Sequence, residues 1–191
     1  MPQQQSLIKG LALLSLSALL FATMGVLIRL ASHSVDNATV VFMRNLTGTI
    51  LLAPFVLAQG KGFLITTKPW MHIWRALVGL AAMYGFFYAI AHLPLSNAMV
   101  FTYSSPVFIP LVAWLFLKEK ITPMMMIAAL IGLIGVGLVA KPDAEMFNWL
   151  SLVGISSSFL AAMAFVTVRA LTKTEPATRI VFYFCLIATL V

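Results

Sequence analysis

The sequence predicts an all-α polytopic membrane protein, a helical bundle built from a five-span unit that recurs in inverted orientation. Three observations support this prediction: the composition, the spacing of the apolar runs, and an internal match between the first and sixth of these runs. Of the 191 residues, 62% are apolar and only 9% are charged, whereas a soluble domain carries about 25% charged residues. This composition excludes an ordinary soluble enzyme, a disordered tail and a nucleic-acid-binding protein.

The apolar runs have the length of bilayer-spanning helices, which need about 20 predominantly apolar residues. The six complete predicted spans are Gly10–Ala31, Ala38–Leu57, Trp70–Ala91, Leu95–Leu117, Pro123–Ala140 and Trp149–Leu171. A seventh span begins near Thr178 and is still apolar at Val191, so the natural protein is expected to be longer. The first run exceeds the roughly 7–15 residues of a signal-peptide core, which favours a helix that is kept.

The connectors between these spans are short, which indicates antiparallel neighbouring helices in an up-and-down bundle. Eight basic residues lie on the side of the N-terminus, namely Lys9, Lys61, Lys68, Lys118, Lys120, Arg169, Lys173 and Arg179. Two basic residues, Arg29 and Lys141, lie on the other side. Because basic connectors remain in the cytoplasm, this asymmetry predicts a cytoplasmic N-terminus. The expected location is a plasma membrane, which is the inner membrane in a bacterium.

When the sequence is aligned with itself so that Arg29 matches Arg169, the first predicted span aligns with the sixth. Both spans are rich in Ser, Ala and Leu. The segment Asp36–Thr39 then resembles Glu175–Thr178 after a one-residue slip, although apolar helices also match each other by chance. This period contains five spans, an odd number, so the second copy must enter the membrane from the opposite face. The predicted units are therefore 1–140, the first repeat, and 141–191, the start of the second.

The candidate substrate-binding residues lie in the second, third and fourth spans: Arg44, Asn45, Tyr84, Tyr88, Asn97, Tyr103, Ser104, Ser105 and Pro106. An intramembrane charge usually faces a cavity or a partner, so Arg44 is a candidate anchor for a substrate carboxylate. The alternative is an arginine whose head group reaches the outer interface. Pro106 frees a backbone carbonyl one turn earlier. The polar stretch before it indicates either a substrate path or a packing kink satisfied by serine hydroxyl groups.

Arg75 and Glu119 lie towards the same side of the membrane, in the third span and at the end of the fourth. A pair between them would act as a structural or gating lock, and the alternative is two solvated charges at the interface. Two stripes of small residues at four-residue spacing predict close helix packing rather than a site. These stripes are Ala81-Gly85-Ala89 and Gly154-Ser158-Ala162.

The segments Pro94–Ala98, Tyr103–Phe108 and Leu117–Thr122 together resemble the first repeat of the EamA-type transporters, in the drug/metabolite transporter superfamily. Arg44 and Arg75-Ala76-Leu77 also fit that pattern. The resemblance implies a ten-span bundle of two inverted five-span repeats. It also implies a secondary transporter that moves small metabolites, amino acids or drugs by alternating access. The expected partners are the lipid bilayer and a small-molecule substrate, and an exposed seam on one unit would favour a homodimer.

Two other functions are compatible with such a bundle, an intramembrane enzyme and a channel-like protein. An enzyme would need paired acids, a His–acid cluster or an activated nucleophile at one membrane depth, and no predicted span contains Asp or Glu. The single Cys and the three His have no metal-site spacing. We therefore expect neither catalysis, nor a metal, nor another cofactor.

Overall fold

The computed structural model describes residues 2–140 and 149–191, so Lys141, which was counted in the charge asymmetry, lies outside the described residues. Over these ranges the chain is helical and contains no strand. The helices are α1 (Pro2–Ala31), α2 (Asn37–Ala58), α3 (Pro69–His92), α4 (Leu95–Leu117), α5 (Pro123–Ala140), α6 (Trp149–Leu171) and α7 (Ala177–Leu190). The predicted all-α membrane bundle is confirmed. The helix bounds agree with the predicted spans to within one residue, except that α1 begins eight residues earlier than predicted.

Five helices are long and apolar enough to cross a membrane, namely α1 over Gly10–Ala31, α2, α3, α4 and α6. The remaining two, α5 over Pro123–Gly135 and α7, are shorter apolar helices. The helix α5 itself runs over Pro123–Ala140, the bounds that the sequence predicts. Its first residue, Pro123, begins the helix where a missing N–H group costs nothing.

The helices do not pack mainly against their neighbours in the sequence. Both α3 and α4 make their most extensive contacts with α6, and α2 makes its most extensive contacts with α7. Small residues allow this close approach, because a Cβ atom at Gly154 would meet the ring of Phe101 at 2.5 Å. Gly85 likewise lies against Ser157. The helix α6 therefore lies between α3 and α4, which the sequence order alone does not indicate.

Three contacts bring the connectors after α2, α4 and α6 to the same end of the bundle. Thr66 donates to Glu175 at 2.7 Å, which joins the first of these connectors to the third. Arg169, near the end of α6, pairs with Glu119 after α4 at 3.0 Å. Tyr183 of α7 donates to the carbonyl of Leu64. This arrangement follows from helices that alternate in direction.

The turn between α1 and α2 has the same hydrogen bonds as the turn between α6 and α7, at the separation along the chain that the sequence comparison gives. Ser32 N donates to Ile28 O at 2.9 Å, and Thr172 N donates to Val168 O at 2.8 Å. The flanking helices also end and begin at positions with this same separation. The helix bounds therefore align without the one-residue slip that the sequence comparison required.

Equivalent positions of α2 and α7 also meet in the interior. The hydroxyl groups of Thr49 and Thr189, which are 140 residues apart, lie 3.5 Å from each other. Each also donates to the carbonyl four residues earlier, Thr49 to Asn45 at 2.9 Å and Thr189 to Cys185 at 2.7 Å. This contact joins the middle of α2 to the end of α7.

Candidate functional site

A cavity of about 530 Å³ lies among α1, α2, α3, α4, α6 and α7. This volume falls in the range of small-molecule sites, which are concave and mostly apolar with a few polar groups. Its aromatic wall includes Phe21, Phe86, Phe87, Phe165 and Phe184. Its polar wall includes Arg44, Arg75, Tyr103, Ser105, Ser157 and Ser158. The helices therefore enclose a space with the size and chemistry of a ligand site.

Two arginines from different helices meet over one aromatic ring in this cavity. The guanidinium carbon of Arg75 lies 4.5 Å from the centroid of the Phe184 ring, and that of Arg44 lies 5.7 Å from the same centroid. Gly79 leaves room for this arrangement, because a Cβ atom there would collide with Nη1 of Arg75. Both cations gain from the negative face of the ring, but the ring does not neutralise them.

Asn45 holds Arg44 rather than lining the cavity itself. Its side chain is fully buried, and its Nδ2 donates to the carbonyl of Val41 at 2.8 Å. Its Oδ1 accepts a hydrogen bond from Arg44 Nη1 at 3.1 Å. One of the predicted binding residues therefore positions another.

The polar stretch of α4 has both roles that the sequence left open. Pro106 cannot donate to the carbonyl of Thr102, and the hydroxyl of Ser105 donates to that carbonyl instead, at 3.0 Å. A serine hydroxyl thus satisfies the group that the proline frees. Thr102, Tyr103 and Ser105 also line the cavity. Ser105 and Thr102 therefore satisfy the hydrogen bonding of the interrupted helix and also form part of the cavity wall.

Two serines of α6, Ser157 and Ser158, donate hydrogen bonds to backbone carbonyls of the neighbouring helices. Ser157 donates to Ala82 of α3 at 2.7 Å, and Ser158 donates to Phe101 of α4. These bonds fix α6 between the two helices at the level of the cavity. Their hydroxyl oxygens retain acceptor capacity, while their single protons are already used.

Several predicted binding residues lie outside the cavity wall. The structure places six of them elsewhere: Asn45, Tyr84, Tyr88, Asn97, Ser104 and Pro106. Tyr88 stacks on the ring of His92 at the end of α3, with 4.0 Å between the ring centroids. Asn97 is fully buried, and Pro106 is exposed. Arg44, Tyr103 and Ser105 are the predicted residues that meet in one cavity, and their role in binding stays a prediction.

The structure does not bring Arg75 and Glu119 together. Arg75 lies in the cavity wall, whereas Glu119 pairs with Arg169 at 3.0 Å. The reason is the position of α6, whose last turn reaches the connector after α4 and supplies the arginine there. Both side chains of that pair are partly exposed, so it is worth at most about 1 kcal/mol.

A second group of polar residues, the Glu175 cluster, lies at the end of the bundle and consists of the buried Glu175 and His72 and the half-buried Thr66 and Arg179. Glu175 is only 5% exposed and accepts hydrogen bonds from Thr66 at 2.7 Å and from Arg179 at 2.6 Å. His72 Nε2 lies 3.9 Å from the same carboxylate, which is too long for a hydrogen bond. This cluster ties α3 and α7 to the two connectors.

The ionised form of Glu175 is favoured in the folded protein. Burial raises the pKa of its carboxyl group, but the hydrogen bonds from Thr66 and Arg179 and the positive charge of Arg179 lower it by more. The net pKa of Glu175 lies below its ordinary value of 4.5. The carboxylate therefore stays charged at neutral pH and neutralises Arg179 next to it.

Residues 8–141 of the chain match the model of the EamA-like transporter family. The chain belongs to the EamA-like transporter family. This confirms the resemblance carried by the α4 segment and the following connector. It also agrees with the cavity, because transporter sites lie between spans near the middle of the membrane.

Several curated proteins that are similar to this chain are named as transporters. The chain is 33% identical to the pseudopaline exporter CntI of Pseudomonas aeruginosa, over 95% of this chain and 64% of that protein. It is 30% identical to the S-adenosylmethionine uptake transporter of Rickettsia bellii, over 83% of this chain and 54% of that protein. It is 26% identical to the riboflavin transporter of Brucella anthropi, over 81% of this chain and 55% of that protein. No solved structure matches the chain significantly.

The chain thus spans 54–64% of the length of these relatives.

The cavity of this EamA-like protein includes residues that sequence reasoning missed. Arg75 was assigned to a lock, and Phe184 was not among the candidates because an apolar side chain in a span carries no sign of a site. A signal was present for Ser157 and Ser158, since three consecutive serines in the middle of a span require partners.

Proposed function

We propose that the whole protein is a secondary transporter that moves small organic metabolites by alternating access, with the cavity as its substrate site. The observation that carries the proposal is the cavity itself, which helices on both sides of the 141–148 segment enclose. Membership of the EamA-like family supports it. So do relatives named for the transport of pseudopaline, S-adenosylmethionine and riboflavin.

The proposed organisation is an inverted repeat, with 1–140 as the first unit and 141–191 as the start of the second. The recurrence of the turn after α1 in the turn after α6 supports this division. The meeting of Thr49 with Thr189 supports a two-fold relation between α2 and α7. Alternating access follows from such a relation, because the two units can exchange conformations.

The proposed location is a plasma membrane, the inner membrane in a bacterium, with the N-terminus in the cytoplasm. The support is the excess of basic residues on that side and the contacts that bring the connectors after α2, α4 and α6 together. The exposed apolar side chains of α1 and α5 suit the lipid bilayer. A second copy of the protein is the further partner included in this proposal.

Within the cavity, we propose that Arg44 anchors an anionic group of the substrate while Tyr103 and Ser105 contact its remainder. Replacing Arg44 with Ala should reduce the uptake of carboxylate-bearing metabolites by about 10- to 100-fold, the value of one hydrogen bond to a charged group. The measurement is uptake of a labelled panel of anionic, zwitterionic and neutral metabolites into vesicles that hold the whole protein.

The matched control is Arg169→Ala, which removes an arginine outside the cavity and should leave uptake unchanged. Neutral metabolites should be taken up at the wild-type rate by the Arg44→Ala variant. An equal loss for neutral and anionic compounds would contradict the anchor role. A panel with no compound taken up by the wild-type protein would contradict the transport function.

A further inference from the structure

The cavity has two arginines and no acid to balance them. Among the described residues that line it, none is Asp or Glu. The described carboxylates of Asp36, Glu119 and Glu175 are in connectors outside this wall. An intramembrane charge without a partner is costly, and such charges usually pair or face a functional cavity.

Arg75 shows this imbalance most directly. Its Nε and Nη1 atoms are buried and have no hydrogen-bond partner within the described part of the chain. The guanidinium group nevertheless keeps a defined position, over the ring of Phe184 and in the space left by Gly79. Arg75 also lines the cavity, so its charge faces this space without a described carboxylate to compensate it.

Arg44 brings a second cation to the same ring. The hydrogen bond from its Nη1 goes to the neutral amide oxygen of Asn45, so the charge of Arg44 is not compensated there. The two guanidinium carbons lie 5.7 Å and 4.5 Å from the Phe184 centroid. Their separation therefore cannot exceed the sum of these two distances, and one small molecule can reach both.

We propose that Arg44 and Arg75 form one two-point site for organic dianions, small molecules that carry two carboxylates on an apolar body. Each guanidinium presents a planar fork that matches a carboxylate. A dianion neutralises both cations and removes the repulsion between them, whereas a monoanion leaves one unpaired. The aromatic wall formed by Phe21, Phe86 and Phe184 covers the body of the ligand. This inference rests on the proposed transport function, because it defines the substrate class of the same cavity.

Three probes of matched shape test the charge requirement: phenylsuccinate, its monomethyl ester and its dimethyl ester. Their binding to the whole protein is measured by titration calorimetry in phosphatidylcholine nanodiscs, which contain no anionic lipid. We expect the dianion to bind about tenfold or more tightly than the monoester, the value of one charge-assisted contact. Equal affinities of the dianion and the monoester would overturn the proposal.

The variants Arg44→Gln and Arg75→Gln should each lower the affinity for the dianion to that for the monoester. Gly79→Ala keeps both charges but displaces the guanidinium of Arg75, so it should also abolish the dianion preference. This variant decides the question if Arg75→Gln fails to fold. Arg169→Gln, outside the cavity, should bind like the wild type. A dianion preference that survives Arg75→Gln or Gly79→Ala would overturn the two-point site.

The source of the dianion is tested by adding phosphatidylglycerol to the nanodiscs. Unchanged phenylsuccinate binding supports a soluble ligand, and competitive loss would show that a lipid head group occupies the site. Uptake of the metabolite panel separates this inference from the transport function. Uptake without a dianion preference would overturn the inference alone. A dianion preference without uptake of any compound would support the site and overturn the transporter.

Discussion

Arg75 in the cavity and Arg179 in the Glu175 cluster lie in similar apolar surroundings but have different partners. Each guanidinium lies over a phenylalanine ring, Arg75 at 4.5 Å from the Phe184 centroid and Arg179 at 4.9 Å from the Phe63 centroid. Arg179 also pairs with a buried carboxylate at 2.6 Å, that of Glu175. Arg75 lines an open cavity instead.

This difference in partners distinguishes a charge that stabilises the fold from a charge that is available to a ligand. A buried charge that is paired and hydrogen-bonded holds elements together, and removing one partner leaves the other uncompensated. An intramembrane charge without a partner does not stabilise the protein but is available to a ligand. Removing a charge should therefore destabilise the Glu175 cluster and leave the free energy of unfolding almost unchanged at the cavity.

The largest effect is expected from Glu175→Ala. This change leaves Arg179 buried without its carboxylate and Thr66 without its acceptor, and breaking a buried pair in this way costs about 3–5 kcal/mol. The measurement is the unfolding of the whole protein in detergent. Glu119→Ala, which removes the partly exposed partner of Arg169, is the matched control and should cost at most about 1 kcal/mol. Equal losses in the two variants would remove the distinction between buried and exposed pairs.

A smaller effect is expected from acid. The pKa of Glu175 is lower in the folded protein than its ordinary value of 4.5, so the ionised carboxylate contributes stability above that value. This contribution is lost as the pH falls through the lower pKa of the folded state. Unfolding midpoints measured from neutral pH to below 4.5 should decrease less steeply for Glu175→Gln than for the wild type. Parallel curves for the two proteins would show that another group controls the acid response.

The smallest effect on stability is expected from Arg75→Gln. The variant loses a cation–π contact but also removes an unpaired buried charge, so the free energy of unfolding should change by less than about 1 kcal/mol. Arg179→Gln, measured in the same unfolding experiment, should cost several times more because it leaves Glu175 buried and unpaired. A large loss in Arg75→Gln would indicate that Arg75 has a structural partner and would remove the contrast between the two regions.

The sequence predicted the bounds of the helices better than it predicted which helices pack against each other. The bounds of α4 and α6 agree with the predicted spans, because prolines and charges interrupt the apolar runs and mark the ends of each helix. The structure does not bring Arg75 and Glu119 together, because lying towards the same side of the membrane does not place two residues in contact. The position of α6 between α3 and α4 gave Glu119 another partner, Arg169.

The candidate site was predicted in part. Arg44, Tyr103 and Ser105 line the cavity, and they were recognised because a charge or a polar group inside a span needs a reason to be there. Tyr84 and Tyr88 share a face of α3 that does not reach the cavity. Aromatic side chains are stable both in lipid and in a protein interior, so their type does not indicate which way they face.

By itself, the sequence determined the membrane class, the bounds of the described helices, the family and the charges inside the spans that need a partner. Hydropathy acts through the free energy of transfer of each segment, and proline acts through its missing N–H group. Basic connectors act through their retention in the cytoplasm. All three are local properties that the order of residues specifies directly. The tertiary structure decided which helices meet, that Arg44 and Arg75 lie over one ring, and that Glu175 neutralises Arg179. These contacts depend on packing between helices that are apolar on every side, and hydropathy does not distinguish one apolar face from another.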